Sequence, residues 1–162
     1  SVAVIQKEEV GPPDFSQGKF LFLEDVQDPG NVGTMIRTAD AAGLTGVIVS
    51  DKSADIYSLK TLRSMQGSHF HLPIYRMPVA TFIEEAKKSN LPILATTLSR
   101  DSKDYRELSP LENFALVMGN EGQGISPIMA ESANQLVHIG MKGRAESLNV
   151  AVAAGILMFY FS

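Results

Sequence analysis

The sequence predicts an α/β domain with a mostly parallel sheet and helices on both faces, and three observations predict it. Short apolar runs recur along the chain, helical patterns fill most gaps between them, and 44% of the 162 residues are apolar, enough for one core. Zero cysteines exclude disulfides, thiolate metal sites and cysteine nucleophiles. A formal net charge of −4 argues against a general polyanion clamp, because counterion-driven affinity needs clustered Lys and Arg. A nucleic-acid partner would therefore require a local basic patch or another domain. Neither a signal peptide nor a long apolar run is visible, so a cytoplasmic protein is expected.

Residues 1–5 read as a short strand and Gly11-Pro12-Pro13 as a break, so residues 1–17 are expected to be a linker or leading strand before a domain at 18–162. Residues 19–24 form the first apolar run, continuous as in strands buried on both faces. A helix is predicted over 32–42, with Asn31 as N-cap and Gly43 closing it. Strands follow at 46–50 and 71–75, with a weaker helical pattern at 58–65 between them. An amphipathic helix at 79–88 precedes strands at 92–96 and 113–118. Pro127 opens a helix at 127–133, residues 135–139 form the last strand, and residues 150–161 form a helix that is apolar on every side. Such a helix belongs in a core or a subunit interface and is too short to span a bilayer, which takes about 20 residues.

Ligands of open α/β sheets bind outside the carboxyl ends of the strands. Four polar or glycine-rich segments fall there and are expected to converge: Asp28-Pro29-Gly30-Asn31-Val32-Gly33, Thr96-Thr97-Leu98, Gly119-Asn120-Glu121-Gly122-Gln123-Gly124, and residues 140–149. The glycines of the third segment either serve the turn alone or let the main chain approach a ligand. Neither a P-loop nor a dinucleotide fingerprint is present, so Asp51, at the end of the second strand, reads as a solvated loop residue. Ser147 either caps the last helix or serves a site, and burying Ser147 or Asn149 without a partner would cost roughly 1–3 kcal/mol each. Arg37, among Met35, Ile36, Ala39 and Ala42, either forms a structural ion pair or faces an anionic substrate.

Together these segments resemble the SpoU (TrmH-like) family of RNA ribose 2′-O-methyltransferases, within the trefoil-knotted SPOUT class. Three motifs carry the resemblance, in order, across residues 19–161. The first is Asp28-Pro29-Gly30-Asn31-Val32-Gly33 through Arg37-Thr38-Ala39, and the second is Val117-Met118-Gly119-Asn120-Glu121-Gly122-Gln123-Gly124-Ile125. The third runs from Ile139-Gly140-Met141 to Ser147-Leu148-Asn149-Val150-Ala151-Val152-Ala153-Ala154-Gly155. One departure stands in it: the family usually reads Ile-Pro-Met, and Gly140 replaces the proline. Proline restrains a strand exit, so Gly140 is expected to loosen it, which bears on cofactor affinity rather than on the class of reaction.

The resemblance implies a C-terminal trefoil knot and S-adenosylmethionine as cofactor. It places cofactor-binding groups at Thr96, Leu98, Gly119, Ile139, Met141 and Leu148, with Leu98, Ile139 and Leu148 as apolar walls. It also implies that Arg37 acts on the ribose 2′-OH. Arginine keeps its proton up to a pKa above about 12, so a substrate phosphate is the other candidate acceptor, with Arg37 orienting it. Asn31, Glu121, Ser147 and Asn149 complete the implied polar shell, Asn31 and Glu121 fixing Arg37 and the other two positioning ribose. No metal is implied, because the leaving group is neutral.

His69 and His71 share a strand face but lack a third metal ligand, and read as surface histidines. Arg63 and Lys60 either touch RNA or form a solvated helix face; Arg76, Lys87, Lys88, Arg100 and Lys103 are scattered; Arg144 is the better RNA contact. The resemblance further implies a homodimer, ribosomal or transfer RNA as partner, and an RNA-binding domain that precedes the catalytic one in many members and is not recognisable in residues 1–17. Two other functions compete: a catalytically silent binding module of the same fold, and a Rossmann-like oxidoreductase.

Overall fold

A computed structural model describes residues 11–57, 72–144 and 147–162. The expected strand at 1–5, the helical pattern at 58–65, and Lys60, Arg63, His69 and His71 lie outside the described residues.

The strands are β1 (Lys19–Leu23), β2 (Gly46–Val49), β3 (Ile74–Arg76), β4 (Ile93–Thr96), β5 (Lys103–Asp104), β6 (Phe114–Met118) and β7 (Gln135–His138). They form a seven-stranded sheet in the order β3-β2-β1-β6-β4-β7-β5. Every pairing is parallel, from Phe20 opposite Gly46 at one end to Lys103 opposite Val137 at the other. The helices are α1 (Pro29–Ala41), α2 (Val79–Lys88), α3 (Pro127–Ser132) and α4 (Val150–Phe161).

Alternate strand residues feed two cores. Leu21, Leu23, Val47, Val49, Leu116 and Met118 point toward α1 and α4, while Phe20, Phe22, Ile48, Ala115 and Val117 point toward α2 and α3. This two-sided burial explains why the strands are continuous apolar runs. On α1 the buried positions Val32, Met35, Ile36 and Ala39 recur at helical spacing. The second core centres on Phe82 of α2, stacked on Phe22 at 4.2 Å and met edge-on by Phe15 at 5.8 Å.

Three local features correct or refine these expectations. Helix α1 starts at Pro29, and its N-cap is Asp28, whose carboxylate accepts from the Asn31 N–H at 2.9 Å. Asn31 therefore lies inside the first turn. The N-cap of α4 is Asn149 rather than Ser147, its Oδ1 accepting from Ala151 at 2.8 Å and Val152 at 3.2 Å. Finally, α4 is not buried all round. Ala151, Ala154, Leu157, Met158 and Phe161 enter the core, whereas Val152, Ile156 and Phe159 form an exposed stripe.

The sequence patterns missed β5 and the 3-10 turn Tyr105–Glu107 that follows it. A Lys-Asp strand carries no apolar signal. The Asp104/Glu107 spacing, however, is a capping box, with the carboxylate of Asp104 at the turn's N-cap.

Phe82→Ala is expected to destabilise the domain by about 3–5 kcal/mol through the cavity left between α2 and the sheet. Equilibrium urea denaturation measures the loss, and a change below about 1 kcal/mol would contradict this packing.

Candidate active site

The loops after β4, β6 and β7 leave the same edge of the sheet and enclose, with the start of α4, a cleft of about 440 Å³. Thr96, Leu98, Gly119, Ile139, Met141 and Leu148 all line it, joined by Glu121, Ser147 and Asn149. Asn31 lies in a neighbouring depression with Gly30, Thr34, Thr38 and Asn149. Asn149 faces both hollows, and its Nδ2 donates to Asn31 Oδ1 at 3.2 Å.

Glu121 organises the mouth of the cleft. Its carboxylate accepts from the backbone N–H groups of Gln27 at 3.1 Å and Asp28 at 2.9 Å, and from Asn31 Nδ2 at 3.4 Å. Burial pushes this carboxyl up, but the N–H groups of Asp28, Glu121 itself and Gln27, with the Asn31 amide, outweigh it and hold it below the ordinary Glu value. The first two motifs are thus joined directly. Glu121 and Asn31 fix the turn before α1, not Arg37. Arg37 itself is exposed on α1, and no described residue hydrogen-bonds or ion-pairs with its guanidinium. It stands three residues beyond Thr34, hence on the side of α1 that edges the second depression.

The loop after β6 is closed on itself. Asn120 and Gly124 exchange backbone hydrogen bonds at 3.1 and 2.9 Å. Asn120 Oδ1 accepts from the N–H groups of Gly122 and Gln123, while its Nδ2 donates to the Asp25 carbonyl at 2.8 Å. A Cβ on Gly119 would lie 2.3 Å from the Gly124 carbonyl carbon. The demand for glycine there comes from the chain's own backbone rather than from a ligand.

Sequence reasoning missed His138 and Glu24. His138 lines the cleft, and its Nδ1 lies 2.7 Å from Ser102 Oγ. Glu24 is buried, accepting from the Ser126 N–H at 2.9 Å and the Ser126 hydroxyl at 2.5 Å. Its position at the end of a buried strand, where a carboxylate needs partners, was the available signal.

The expected looseness at Gly140 is also overturned. The Gly140 N–H donates to Asp104 Oδ2 at 2.9 Å, a bond that proline could not make. Arg106 Nε and one of its terminal nitrogens grip the two oxygens of Asp104, each at 2.8 Å. These hydrogen bonds, first among them that of the Arg106 side chain, hold the Asp104 carboxyl well below the usual carboxylate range.

Among the described residues no group of three acidic, His or Cys side chains is placed to hold a metal ion, and no helix is long and apolar enough to cross a membrane. The cleft is lined from the loops after β4, β6 and β7 and the start of α4 and by no residue of the turn after β1, where a Rossmann dinucleotide site would sit, so the oxidoreductase reading finds no support in its lining.

An open parallel sheet with helices on both faces and a cleft of glycine-rich and apolar loops at the carboxyl ends of its strands defines an α/β domain of the open-sheet class. More narrowly, residues 18–159 match the SpoU rRNA Methylase family, and the chain belongs to it. It is 46% identical over 142 residues to the 23S rRNA (guanosine(2553)-2′-O)-methyltransferase RlmP of Bacillus subtilis, an alignment covering 88% of this chain and 57% of that protein. It is 33% identical to the putative TrmH family tRNA/rRNA methyltransferase YacO of the same organism, over 86% of this chain and 56% of YacO. The chain thus spans little more than half the length of these relatives. Among solved structures, an AdoMet-bound rRNA methyltransferase from Sinorhizobium meliloti superposes with a TM-score of 0.83 at 39% identity, covering 94% of this chain and 57% of that one. The AdoMet complex of the SpoU methyltransferase AviRb from Streptomyces viridochromogenes gives 0.76 at 34% identity, covering 92% and 60%.

A carboxylate whose pKa is lowered by folding contributes its full stability above its ordinary value, 4.5 for Glu121, and loses it as pH falls through the folded value. The stability difference between wild type and Glu121→Gln is therefore expected to be widest near neutral pH and to shrink below about pH 4.5. Urea titrations across that range test it, and an unchanged difference at about pH 3 would count against the Glu121 tie.

Proposed function

We propose that this chain is the catalytic domain of an S-adenosylmethionine-dependent methyltransferase that modifies a ribose 2′-OH of RNA, with ribosomal RNA favoured by its similarity to RlmP. The observation that carries the reading is the convergence of Thr96, Leu98, Gly119, Ile139, Met141 and Leu148 on one cleft. The intact Asn31, Glu121 and Asn149 contacts beside it favour an enzyme over a silent module.

The cleft suits the cofactor. About 440 Å³ falls within the range of small-molecule sites. Leu98 is 71% exposed and Leu148 36% exposed, so both walls still present apolar surface that an adenine ring would cover. Main-chain groups around Thr96, Gly119, Ile139 and Met141 would supply edge hydrogen bonds. When bound, S-adenosylmethionine supplies an electrophilic methyl on sulfur and a neutral leaving group.

The chain's own task is to align an alcohol that is almost wholly protonated at neutral pH. Asn149 and Asn31 bridge the cleft and the adjacent depression, which suits them to orient a ribose, and Ser147 lies exposed beside them. Arg37, exposed on the same side of α1, orients a substrate phosphate and offsets its charge, and that phosphate takes the hydroxyl proton. Arg100, Lys142 and Arg144 are exposed on the loops after β4 and β7 and supply local positive charge for RNA despite the net charge of −4.

Further parts of the reading are a homodimer, the trefoil threading of the family and a cytoplasmic location with the ribosomal substrate. The exposed Val152, Ile156 and Phe159 stripe supports the dimer, because such apolar stripes mark interfaces. The strand order, with β4 paired to both β6 and β7, is compatible with the knot.

Calorimetry is expected to detect S-adenosylmethionine binding and no NAD binding; the reverse would sink the reading. Labelled cofactor and unmodified ribosomal RNA, followed by mass spectrometry, test transfer to a 2′-OH. Arg37→Ala is expected to reduce transfer by about 10²–10³-fold, with cofactor affinity within about twofold of wild type. For the dimer, Phe159→Asp is expected to shift sedimentation toward a monomer. An unchanged sedimentation coefficient would exclude this stripe as the interface.

A further inference from the structure

Gly140 stands between two residues of the cleft wall, Ile139 and Met141, at the exit of β7. Its N–H is spent on the Asp104 carboxylate at 2.9 Å, so this piece of main chain has a fixed direction before any ligand arrives. There is no room for a side chain: a Cβ at this position would lie 2.6 Å from Asp104 Oδ2 and 3.3 Å from a terminal nitrogen of Arg106. Asp104 cannot easily yield. Its two oxygens are gripped by the Arg106 guanidinium, it accepts from the Arg106 backbone N–H at 2.9 Å, and its own backbone pairs opposite His138 in the sheet.

The same short unit reaches the far end of the cleft wall. Tyr105, the next residue, meets Tyr160 of α4 edge-on at 4.9 Å, and the Tyr160 hydroxyl donates to the carbonyl of Leu108. Helix α4 starts immediately after Leu148 and Asn149 of the cleft. Residues 104–108 therefore brace the strand that enters the third motif and the helix that leaves it.

We propose that Asp104, held by Arg106, is a positioning residue for the cofactor site: it fixes the Gly140 N–H and thereby aims the main chain of Ile139 and Met141 into the cleft. Asp104 does not line the cleft and acts only through Gly140. The proposal rests on the cofactor reading above. It assigns Gly140 a partner, so that glycine and aspartate work as a pair in which neither is interchangeable alone.

A double-substitution cycle tests it on residues 1–162, with S-adenosylmethionine affinity measured by calorimetry. Asp104→Ala is expected to raise Kd about tenfold, in line with loss of a hydrogen bond to a charged group. Gly140→Pro alone is also expected to weaken binding, because the ring meets Asp104 and the N–H is lost. The double variant is expected to bind more tightly than either single one, since a proline with space around it restrains the exit without an acceptor.

Amide exchange at Gly140, followed by NMR without cofactor, gives an independent readout. It is expected to accelerate in Asp104→Ala while exchange in β1 and β6 stays slow, which separates loss of the pin from general unfolding. Binding by wild type with Kd unchanged in Asp104→Ala, additive effects in the cycle, or unchanged Gly140 exchange would each overturn the positioning role. Absence of binding by wild type would instead overturn the cofactor reading, and this role with it.

Discussion

Strand β6 is hydrogen-bonded to β1 on one side and β4 on the other, and β4 is hydrogen-bonded in turn to β7. Four segments distant in sequence are therefore forced to leave the sheet side by side at its carboxyl edge. Parallel pairing makes this arrangement unavoidable, since it points all four strand ends the same way. The cleft, the Glu121 tie and the contact between Asn31 and Asn149 all follow from that order. Reversing one strand would carry a whole motif to the opposite edge.

Convergence alone would leave flexible loops around an open hollow. Polar bonds between the loops remove that freedom. Glu121 joins the loop after β6 to the turn before α1, Asn120 joins it to Asp25 at the end of β1, and Thr96 Oγ1 donates to the Val117 carbonyl across β4 and β6 at 2.9 Å. Each group would be costly if desolvated without a partner, at about 1–3 kcal/mol, so the network favours one arrangement over alternatives that leave members unpaired.

The strand runs were legible because both faces of the sheet are covered, which makes each central strand apolar without interruption. Strand β5 was not, because Lys103 and Asp104 are held at the sheet edge by backbone pairing and carry no hydrophobic signature. The α1 boundary slipped because Asp28 and Asn31 are both good capping residues; Pro29, at home in the first turn and poor further in, discriminates between them. The residues that line the cleft were legible as a set through the motifs and the loop after β4, but not the partners of each. That Glu121 binds the 27–28 backbone instead of Arg37 depends on a fold-imposed meeting of residues about ninety positions apart.

Gly119 and Gly140 show why a residue type can be read correctly for an incomplete reason. At both positions the sequence invites an explanation in terms of the ligand, as close approach in one case and a loosened strand exit in the other. In both, the space is claimed by the chain itself, by Gly124 and Ile125 against Gly119 and by Asp104 against Gly140, and at Gly140 the backbone N–H is claimed as well. The main chain lining the cleft is consequently fixed by internal contacts and does not have to be ordered by the molecule it binds. A site prepared in that way loses less conformational entropy on binding, and the binding energy released there remains available for alignment of the reacting groups.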